Sequence, residues 1–382
     1  MINTVAIAGY RSLRDIVLPL GQLTVVTGAN GVGKSSIYRA LRLLADIADD
    51  RIISSLAREG GFASVQWAGP ETISRAMRRG DVPIQGTRRK NPVALKLGFR
   101  DETMAYSIEL GLGSGGGLFG LDPSIKSEAI WSGPKPTLSK LIVKRNGPGV
   151  QGRDGDYVMQ NLRTDLPGFE SMVRHITRQD APWEISQLRQ TLGNWRFYDH
   201  IRSDAEAPAR RPQVGTRTAR LSPDGSDLAA AIQTIIEIGD HEALASAIDL
   251  AFPGARLEIK NEAGLFRLQM SQPGMLRALS TAELSDGTLR FILLAAALLS
   301  PRPAPLLVLN EPEASLHSNL IPALGALIHR ASQDSQVMVV SHNRALVSAL
   351  LNGDSELIEL HKEHGETMID ISDAPAWTWP KR

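Results

Sequence analysis

The 382-residue sequence contains no cysteine, which excludes disulfide bonds, thiolate metal sites and thiol nucleophiles at once. Its net charge is only +1, so no overall field draws the chain to nucleic acid or to a membrane, and any such affinity must be local. The opening MINTVAIAGYRSLRDI also lacks the basic segment and apolar core of an export signal. These absences suit a reducing cytoplasm, where we expect the protein.

Long hydrophobic runs are missing as well. The most apolar run extends from Phe291 to Leu299 and is followed by Pro301. Spanning a bilayer takes roughly 20 apolar residues, so this shorter run predicts a buried helix and no membrane partner. Hydrophobic residues nevertheless make up 42% of the chain, which is ordinary for a protein with a substantial core.

A phosphate-binding motif stands near the start. GANGVGKS fits G-x-x-x-x-G-K-[ST], in which backbone N–H groups surround phosphates. It follows the apolar strand GQLTVVTGAN and precedes a segment with apolar residues at helical spacing, which is the context that the motif needs. Lys34 would place its charge on the β and γ phosphates of a nucleotide, and Ser35 would offer its hydroxyl to Mg²⁺. The predicted nucleotide contacts are Gly28, Asn30, Gly31, Gly33, Lys34, Ser35 and Ser36.

The middle of the chain changes character twice. Residues 61–165 contain short strands and Gly-rich loops and predict an antiparallel β subdomain, with VALKLGFR and MAYSIELGLG as a hairpin. Residues 166–255 are predicted to be a compact helical insertion. Residues 1–60 and 256–382 would then form the nucleotide-binding core of a single composite domain.

Three downstream segments complete an ordered set of motifs: LSDGT (284–288), LLVLNEPEASLH (306–317) and VMVVSHNRAL (337–346). Together with the glycine loop they resemble the RecF/SMC-type branch of ABC ATPases, particularly short ATPases related to RecF and to the ATPase half of OLD nucleases. The resemblance covers roughly residues 1–50 and 256–350. It implies an α/β P-loop NTPase of the ABC-ATPase head type, with a mixed core sheet, flanking helices, an antiparallel β subdomain and a helical insertion.

The resemblance also implies roles for individual residues. Glu311 would orient or deprotonate the attacking water, and His342 would contact the γ-phosphate. Asn310 stands where the family usually has Asp, so we expect weaker Mg²⁺ binding and slow ATP hydrolysis. Gln66 is the expected Mg²⁺-contacting glutamine, and Arg11 the expected contact to the α-phosphate or the base.

In this family the LSDGT segment caps ATP that is held by a second subunit. The resemblance therefore implies a homodimer in the ATP state, with Ser285 and Gly287 as the contacts. Asp286 replaces the commoner glycine and adds a negative charge close to phosphates. We expect Asp286 to point away or to be neutralised, with Arg290 as the partner.

Three function classes follow. The first is a RecF-like ATPase that acts in DNA repair or DNA metabolism. The second is the ATPase of a phage-defence or toxin system that gates a separate effector protein. The third and least favoured is a transporter motor subunit. Two arginine-rich clusters are available for direct DNA binding. They comprise Arg75, Arg78, Arg79, Arg88, Arg89 and Lys90, and Arg196, Arg202, Arg210, Arg211, Arg217 and Arg220.

Overall fold

The computed structural model describes residues 1–113, 117–154, 158–177, 181–199, 201–351, 355–371 and 374–382. These residues form two units. The first comprises Met1–Gly21, Gly28–Trp195 and Ile358–Arg382, and the second comprises Gln22–Thr27 and Arg196–Leu357. Within the described ranges, no helix is both long enough and apolar enough to cross a membrane.

The strands are β1 (Ile2–Tyr10), β2 (Leu13–Pro19), β3 (Leu23–Gly28), β4 (Leu95–Asp101), β5 (Ala105–Leu112), β6 (Pro123–Trp131), β7 (Leu141–Asn146), β8 (Gly149–Arg153), β9 (Met159–Arg163), β10 (Arg196–Tyr198), β11 (Gln213–Val214), β12 (Arg256–Glu262), β13 (Leu265–Ser271), β14 (Leu279–Ser280), β15 (Leu306–Asn310), β16 (Gln336–Val340), β17 (Ser355–Glu363) and β18 (Glu366–Ile369).

The α-helices are α1 (Lys34–Asp46), α2 (Ile52–Arg58), α3 (Phe62–Val65), α4 (Arg75–Arg79), α5 (Met172–His175), α6 (Trp183–Gly193), α7 (Leu228–Ile238), α8 (His241–Ala251), α9 (Asp286–Leu298), α10 (Ile321–Ala331) and α11 (Arg344–Leu350). The prediction of a helix after the glycine loop is confirmed by α1. Within residues 166–255, predicted to be helical, α5 has only four residues, and Ile176 after it is already extended.

The first unit is built on an antiparallel sheet in the order β2-β1-β4-β5-β6-β7-β8-β9. The predicted hairpin is confirmed, with β4 and β5 paired antiparallel and Arg100 opposite Ala105. β4 also pairs with β1, Ile7 lying opposite Leu97. The N-terminal strands and the predicted β subdomain therefore share one sheet, and the domain limits proposed above stay a prediction.

A buried ionic network joins this sheet to the helix that follows it. Arg145 Nη1 donates to Glu128 Oε2 at 2.9 Å, and both side chains are fully buried. The Glu128 carboxylate also accepts from the Tyr106 hydroxyl at 2.8 Å, the Ser171 hydroxyl at 2.5 Å and the Met172 backbone at 2.9 Å. Burial, followed by the charge of Glu128, raises the pKa of Tyr106 well above its ordinary value. A carboxylate with four donors is satisfied despite its burial.

Trp377, Trp379 and Arg382 lie against one face of the sheet. Trp377 packs on Trp131 with ring centroids 5.5 Å apart, and Trp379 packs on Trp377 at 5.4 Å. A Cβ atom at Gly98 would lie 2.5 Å from the Trp377 ring, so the glycine leaves room for the indole. Arg382 pairs with Glu109 beside it.

The second unit contains the parallel strands β10, β15, β16 and β3, in that order. Its apolar core includes α7, α8, α9 and α10. The run Phe291 to Leu299 is a buried helical segment, as predicted. β12 and β13 pair antiparallel with Asn261 opposite Phe266, which confirms the predicted turn between them. The register of β15 and β16 brings Asn310 opposite Val340, so the side chains that follow both strands meet at one edge.

We predict that Arg145→Met destabilises the first unit by about 3–5 kcal/mol, because the substitution leaves the Glu128 carboxylate buried without its cation. Urea unfolding followed by tryptophan fluorescence measures this unit, because the six tryptophans all lie in it. Lys144→Met is the matched control, since its side chain points to the other face of β7. Equal losses for the two variants would contradict the assigned role of the network.

Candidate nucleotide site

The glycine loop has the backbone shape that a phosphate-binding loop requires. Gly28, Gly31 and Gly33 have positive φ angles of 144°, 79° and 112°, a region that side chains other than glycine rarely adopt. At Gly33 a Cβ atom would also lie 2.3 Å from Thr367 Oγ1. Helix α1 begins directly after Gly33, so its first N–H groups and its positive dipole end are next to the loop.

Lys34 is held by the loop itself. Its Nζ donates to the Gly28 carbonyl at 2.7 Å and to the Ala29 carbonyl at 3.0 Å, and the residue is buried. The ammonium therefore already lies over the loop. Ser35, the predicted Mg²⁺ ligand, and Asn30 are exposed, whereas Ser36 is buried.

Arg11 and Gln66 lie on adjacent segments of the first unit. The Arg11 backbone N–H donates to the Val65 carbonyl at 2.7 Å, and Tyr10 forms a bridge with Gln66. Arg11 Nη2 donates to Glu59 Oε2 at 2.6 Å, so a phosphate would have to compete with Glu59 for this guanidinium. Gln66 Nε2 donates to the Val93 carbonyl at 2.7 Å. The predicted nucleotide and Mg²⁺ roles of Arg11 and Gln66 stay predictions.

In the second unit, the ends of β15 and β16 bring the two predicted catalytic side chains together. Glu311 follows β15, His342 follows β16, and His342 Nδ1 lies 3.1 Å from Glu311 Oε1. The Glu311 backbone N–H donates to the Val340 carbonyl at 2.8 Å. Glu311 has a φ of 47°, the left-handed region, so this carboxylate is held in a conformation that costs energy. Both side chains are partly exposed and therefore accessible to water and phosphate.

Asn310, directly before Glu311, has a buried side-chain oxygen. Its Oδ1 has no hydrogen-bond partner among the described residues. An unpartnered buried acceptor is costly unless a ligand or water completes it. This oxygen fits a position facing a water of a bound Mg²⁺, although an amide adds no negative charge to the site.

Glu313 and Ser341 lie behind this pair, and the sequence patterns did not single them out. Ser341 Oγ donates to Glu313 Oε1 at 2.5 Å and accepts from the Asn343 N–H at 3.0 Å. Both residues are buried. The bond ties the turn after β16, which carries His342, to the turn after β15. The sequence signal that could have identified Glu313 is a second acidic residue shortly after an apolar strand, in the segment NEPE (310–313).

The LSDGT segment forms the start of α9. Ser285 is the N-cap residue and its Oγ accepts from the Thr288 N–H at 3.1 Å. The helix begins at Asp286. A Cβ atom at Gly287 would lie 3.0 Å from the Ser315 carbonyl, so this glycine permits a close approach to the segment after β15.

The expected partner of Asp286 was wrong. Asp286 pairs with Arg210, whose Nη2 lies 2.7 Å from Asp286 Oδ1. Arg290 points elsewhere, because its guanidinium donates to the Ile201 carbonyl at 3.0 Å and to the Glu311 carbonyl at 3.4 Å. Arg290 thus connects α9 to the backbone of the predicted catalytic glutamate. Asp286, Arg290, Asn310 and Glu311 line one cleft of about 430 Å³.

The arginine-rich clusters are largely paired within the protein. The Arg202, Arg211 and Arg217 side chains form ion pairs with Asp204 at 2.6 Å, Glu206 at 2.9 Å and Glu237 at 3.2 Å, respectively. The hydrogen bond from Arg202 is the main cause that lowers the pKa of Asp204 to about 2. In the other cluster, Arg78 and Arg79 pair with Glu363 and Asp81, and Arg89 donates to the carbonyls of Trp67 and Gly69. Internal pairing reduces the charge that these clusters offer to nucleic acid.

Comparison with known proteins gives a family match over most of the chain. The model of the family described as "AAA domain, putative AbiEii toxin, Type IV TA system" matches residues 23–141 and 164–348, most of the chain. A 44-residue stretch is 46% identical to the OLD nuclease of Thermus scotoductus (strain ATCC 700910 / SA-01). This stretch covers 12% of the chain and only 8% of that relative.

Two solved structures are similar over nearly their whole length. One is the Smc head domain with an extended coiled coil, bound to the C-terminal domain of ScpA and derived from Pyrococcus furiosus. Its TM-score is 0.53 at 14% identity, with 97% of this chain and 95% of that chain covered. The SmcHead bound to the C-winged helix domain of ScpA has a TM-score of 0.50 at 16% identity, with coverages of 97% and 96%. At such identities the likeness shows the fold, which is the predicted P-loop ATPase head of the ABC type.

We predict that Asn310→Asp increases ATP turnover and lowers the Mg²⁺ concentration needed for half-maximal rate, because a carboxylate holds a Mg²⁺-bound water more strongly than an amide does. Steady-state turnover across a Mg²⁺ titration measures both effects. Asn261→Asp, near the end of β12, adds the same charge away from this edge and should change neither quantity. A lower turnover in a folded Asn310→Asp protein would mean that the site depends on the amide.

Proposed function

The chain belongs to the AAA-domain family whose description names the AbiEii toxin of type IV toxin–antitoxin systems, and from this membership we propose that it binds and hydrolyses ATP in an ATP-dependent sandwich dimer. The observation that carries the proposal is the contact between Glu311 and His342 at the ends of two adjacent parallel strands. The family implies a nucleotide-binding protein of the ABC/AAA type.

The proposed chemistry divides among few residues. The loop N–H groups and Lys34 bind the β and γ phosphates. Glu311 accepts a proton from the attacking water while the water oxygen bonds to the γ-phosphorus. The bond between the γ-phosphorus and the β–γ bridging oxygen breaks, which leaves ADP and phosphate. His342 contacts the γ-phosphate, and its hydrogen bond to Glu311 holds both side chains on the reacting group.

Mg²⁺ would be held by Ser35, Asn310 and Gln66, and when bound it neutralises charge on the phosphate oxygens. The unpartnered Oδ1 of Asn310 supports this assignment. The amide in place of a carboxylate supports slow hydrolysis. Slow turnover would leave the ATP-bound state long-lived, which suits a protein that signals by its nucleotide state.

The position of the LSDGT segment supports the proposed dimer. Ser285 is exposed at the N-terminus of α9, where helix N–H groups and the dipole attract an anion. In the proposed dimer Ser285 and Gly287 cap the γ-phosphate of ATP held by a second copy of the chain. Hydrolysis removes that phosphate and with it the contact between the copies.

Two biological roles are open to such an ATPase. DNA repair or DNA metabolism is supported by the RecF-type motifs. The ATPase of a toxin or defence system, which gates a separate effector, is supported by the family description and by the internal pairing of the second arginine cluster. For the DNA role we expect ATP turnover to rise with single- or double-stranded DNA. Unchanged turnover and no DNA binding at low salt would favour the toxin or defence role.

The dimer itself is tested by Glu311→Gln, which keeps the size of the side chain but removes the base. We expect this variant to bind ATP without cleaving it and to accumulate as a dimer, while the wild type returns towards monomer as ATP is consumed. Light scattering with Mg²⁺ and ATP measures the mass. A Glu311→Gln protein whose mass and shape do not respond to ATP would exclude the sandwich dimer.

Two further variants complete this experiment. Lys34→Ala added to Glu311→Gln should bind no ATP and stay monomeric, because the main positive charge on the phosphates is lost. Ser285→Arg places bulk and charge at the contact with the second copy and should prevent the dimer. Ser300→Arg, just beyond the other end of α9, is its matched control and should still dimerise.

A further inference from the structure

Arg210 is a buried cation that binds the LSDGT segment from outside it. It ends a short 3₁₀ turn, Pro208–Arg210, and its side chain is only 8% exposed. Nη1 donates to the Thr281 carbonyl at 2.7 Å and to the Leu284 carbonyl at 2.8 Å. Nη2 donates to the Ser203 carbonyl at 2.7 Å and to Asp286 Oδ1 at 2.7 Å. One guanidinium therefore holds the backbone before Ser285 and the acid after it.

Asp286 is the residue in this segment that conflicts with phosphate binding. It lies between Ser285 and Gly287, the two proposed phosphate contacts, and its side chain is 60% exposed. A negative charge in the first turn suits the helix dipole of α9. The same charge repels an incoming phosphate by an amount that grows as water is excluded. The segment can bind phosphate tightly only when this charge is compensated.

We propose that Arg210 is a positioning residue of the phosphate-capping segment, which compensates the charge of Asp286 and holds the segment in the shape that receives the phosphate of the second copy. The inference rests on the proposed function, because it concerns the same dimer. Arginine suits this role better than lysine, since its planar fork binds a carboxylate and several carbonyls at once.

The pair also makes the segment sensitive to its surroundings. Arg210 extends from the stretch that contains Ser203 and Asp204, whose carbonyls accept from its guanidinium at 2.7 Å and 2.9 Å. A partner that displaces this stretch would withdraw the cation and leave Asp286 uncompensated. The nucleotide would then stay bound to its own loop while the dimer is weakened.

The experiment uses the Glu311→Gln protein as its parent, with Mg²⁺ and ATP, and measures the dimer dissociation constant by light scattering. We expect Arg210→Met to weaken the dimer roughly tenfold or more, because each dimer contains two uncompensated Asp286 charges close to phosphates. Adding Asp286→Asn to Arg210→Met should restore most of the loss. Raising the salt concentration should also reduce the difference between Arg210→Met and the parent.

Two controls separate charge from structure. Arg211→Met removes the neighbouring arginine, which pairs with Glu206 at the surface, and should leave the dissociation constant unchanged. Arg210→Lys keeps the charge and loses the fork, so it should dimerise better than Arg210→Met even if the segment is loosened. Thermal unfolding of every variant identifies any that fails to fold.

The outcomes are distinct. Arg210→Met that dimerises like its parent overturns the inference. A folded Arg210→Met protein that Asp286→Asn does not rescue also overturns it, because Arg210 would then act only through the carbonyls. If Arg210→Met does not fold, the test uses Arg210→Lys instead. An Arg210→Lys protein that dimerises as poorly as Ser285→Arg contradicts the charge role of Arg210. A parent that never dimerises refutes the proposed function and the inference with it.

Discussion

The parallel register between β15 and β16 is the constraint on which the proposed catalytic arrangement depends. Asn310 lies opposite Val340, so the residues that follow the two strands emerge at one edge of the sheet. The Glu311 N–H then reaches the Val340 carbonyl, and the Glu311 carboxylate reaches His342. A shift of the register by one residue would turn alternate side chains to the opposite face and separate the pair.

Buried polar bonds keep that pair in place against local backbone strain. The left-handed backbone of Glu311 costs about 1–3 kcal/mol, and it persists because surrounding bonds leave the chain little alternative. The buried bond between Glu313 and Ser341 joins the two turns from behind. Arg290 adds a contact from α9 to the Glu311 carbonyl. The Arg290 side chain would therefore transmit a movement of the LSDGT helix to the Glu311 backbone.

Charge pairing shapes both units. In the first, Arg145 and Glu128 are compensated inside the core. In the second, Arg210 satisfies Asp286, and further arginines, among them Arg202, Arg211 and Arg217, pair with nearby acids. A net charge of +1 thus reflects many local pairs rather than an absence of charge. Internal pairing matters for the function of an ATPase. Arginines that are bound to acids and carbonyls stabilise the loops of the protein and offer less positive charge to DNA.

The sequence by itself determined what depends on contiguous residues: the glycine loop and its helix, the apolar strands, the hairpin of β4 and β5, and the ABC-ATPase head fold through the order of its motifs. It did not determine which side chains meet across long separations. Arg210 lies 76 residues before Asp286, and Ser341 lies 28 residues after Glu313. A charge is stabilised by whichever partner folding brings within hydrogen-bond distance. Arg290 is nearer to Asp286 in sequence, but the Arg290 guanidinium binds the carbonyls of Ile201 and Glu311, and Arg210 binds Asp286 instead. Only the tertiary structure decided this pairing.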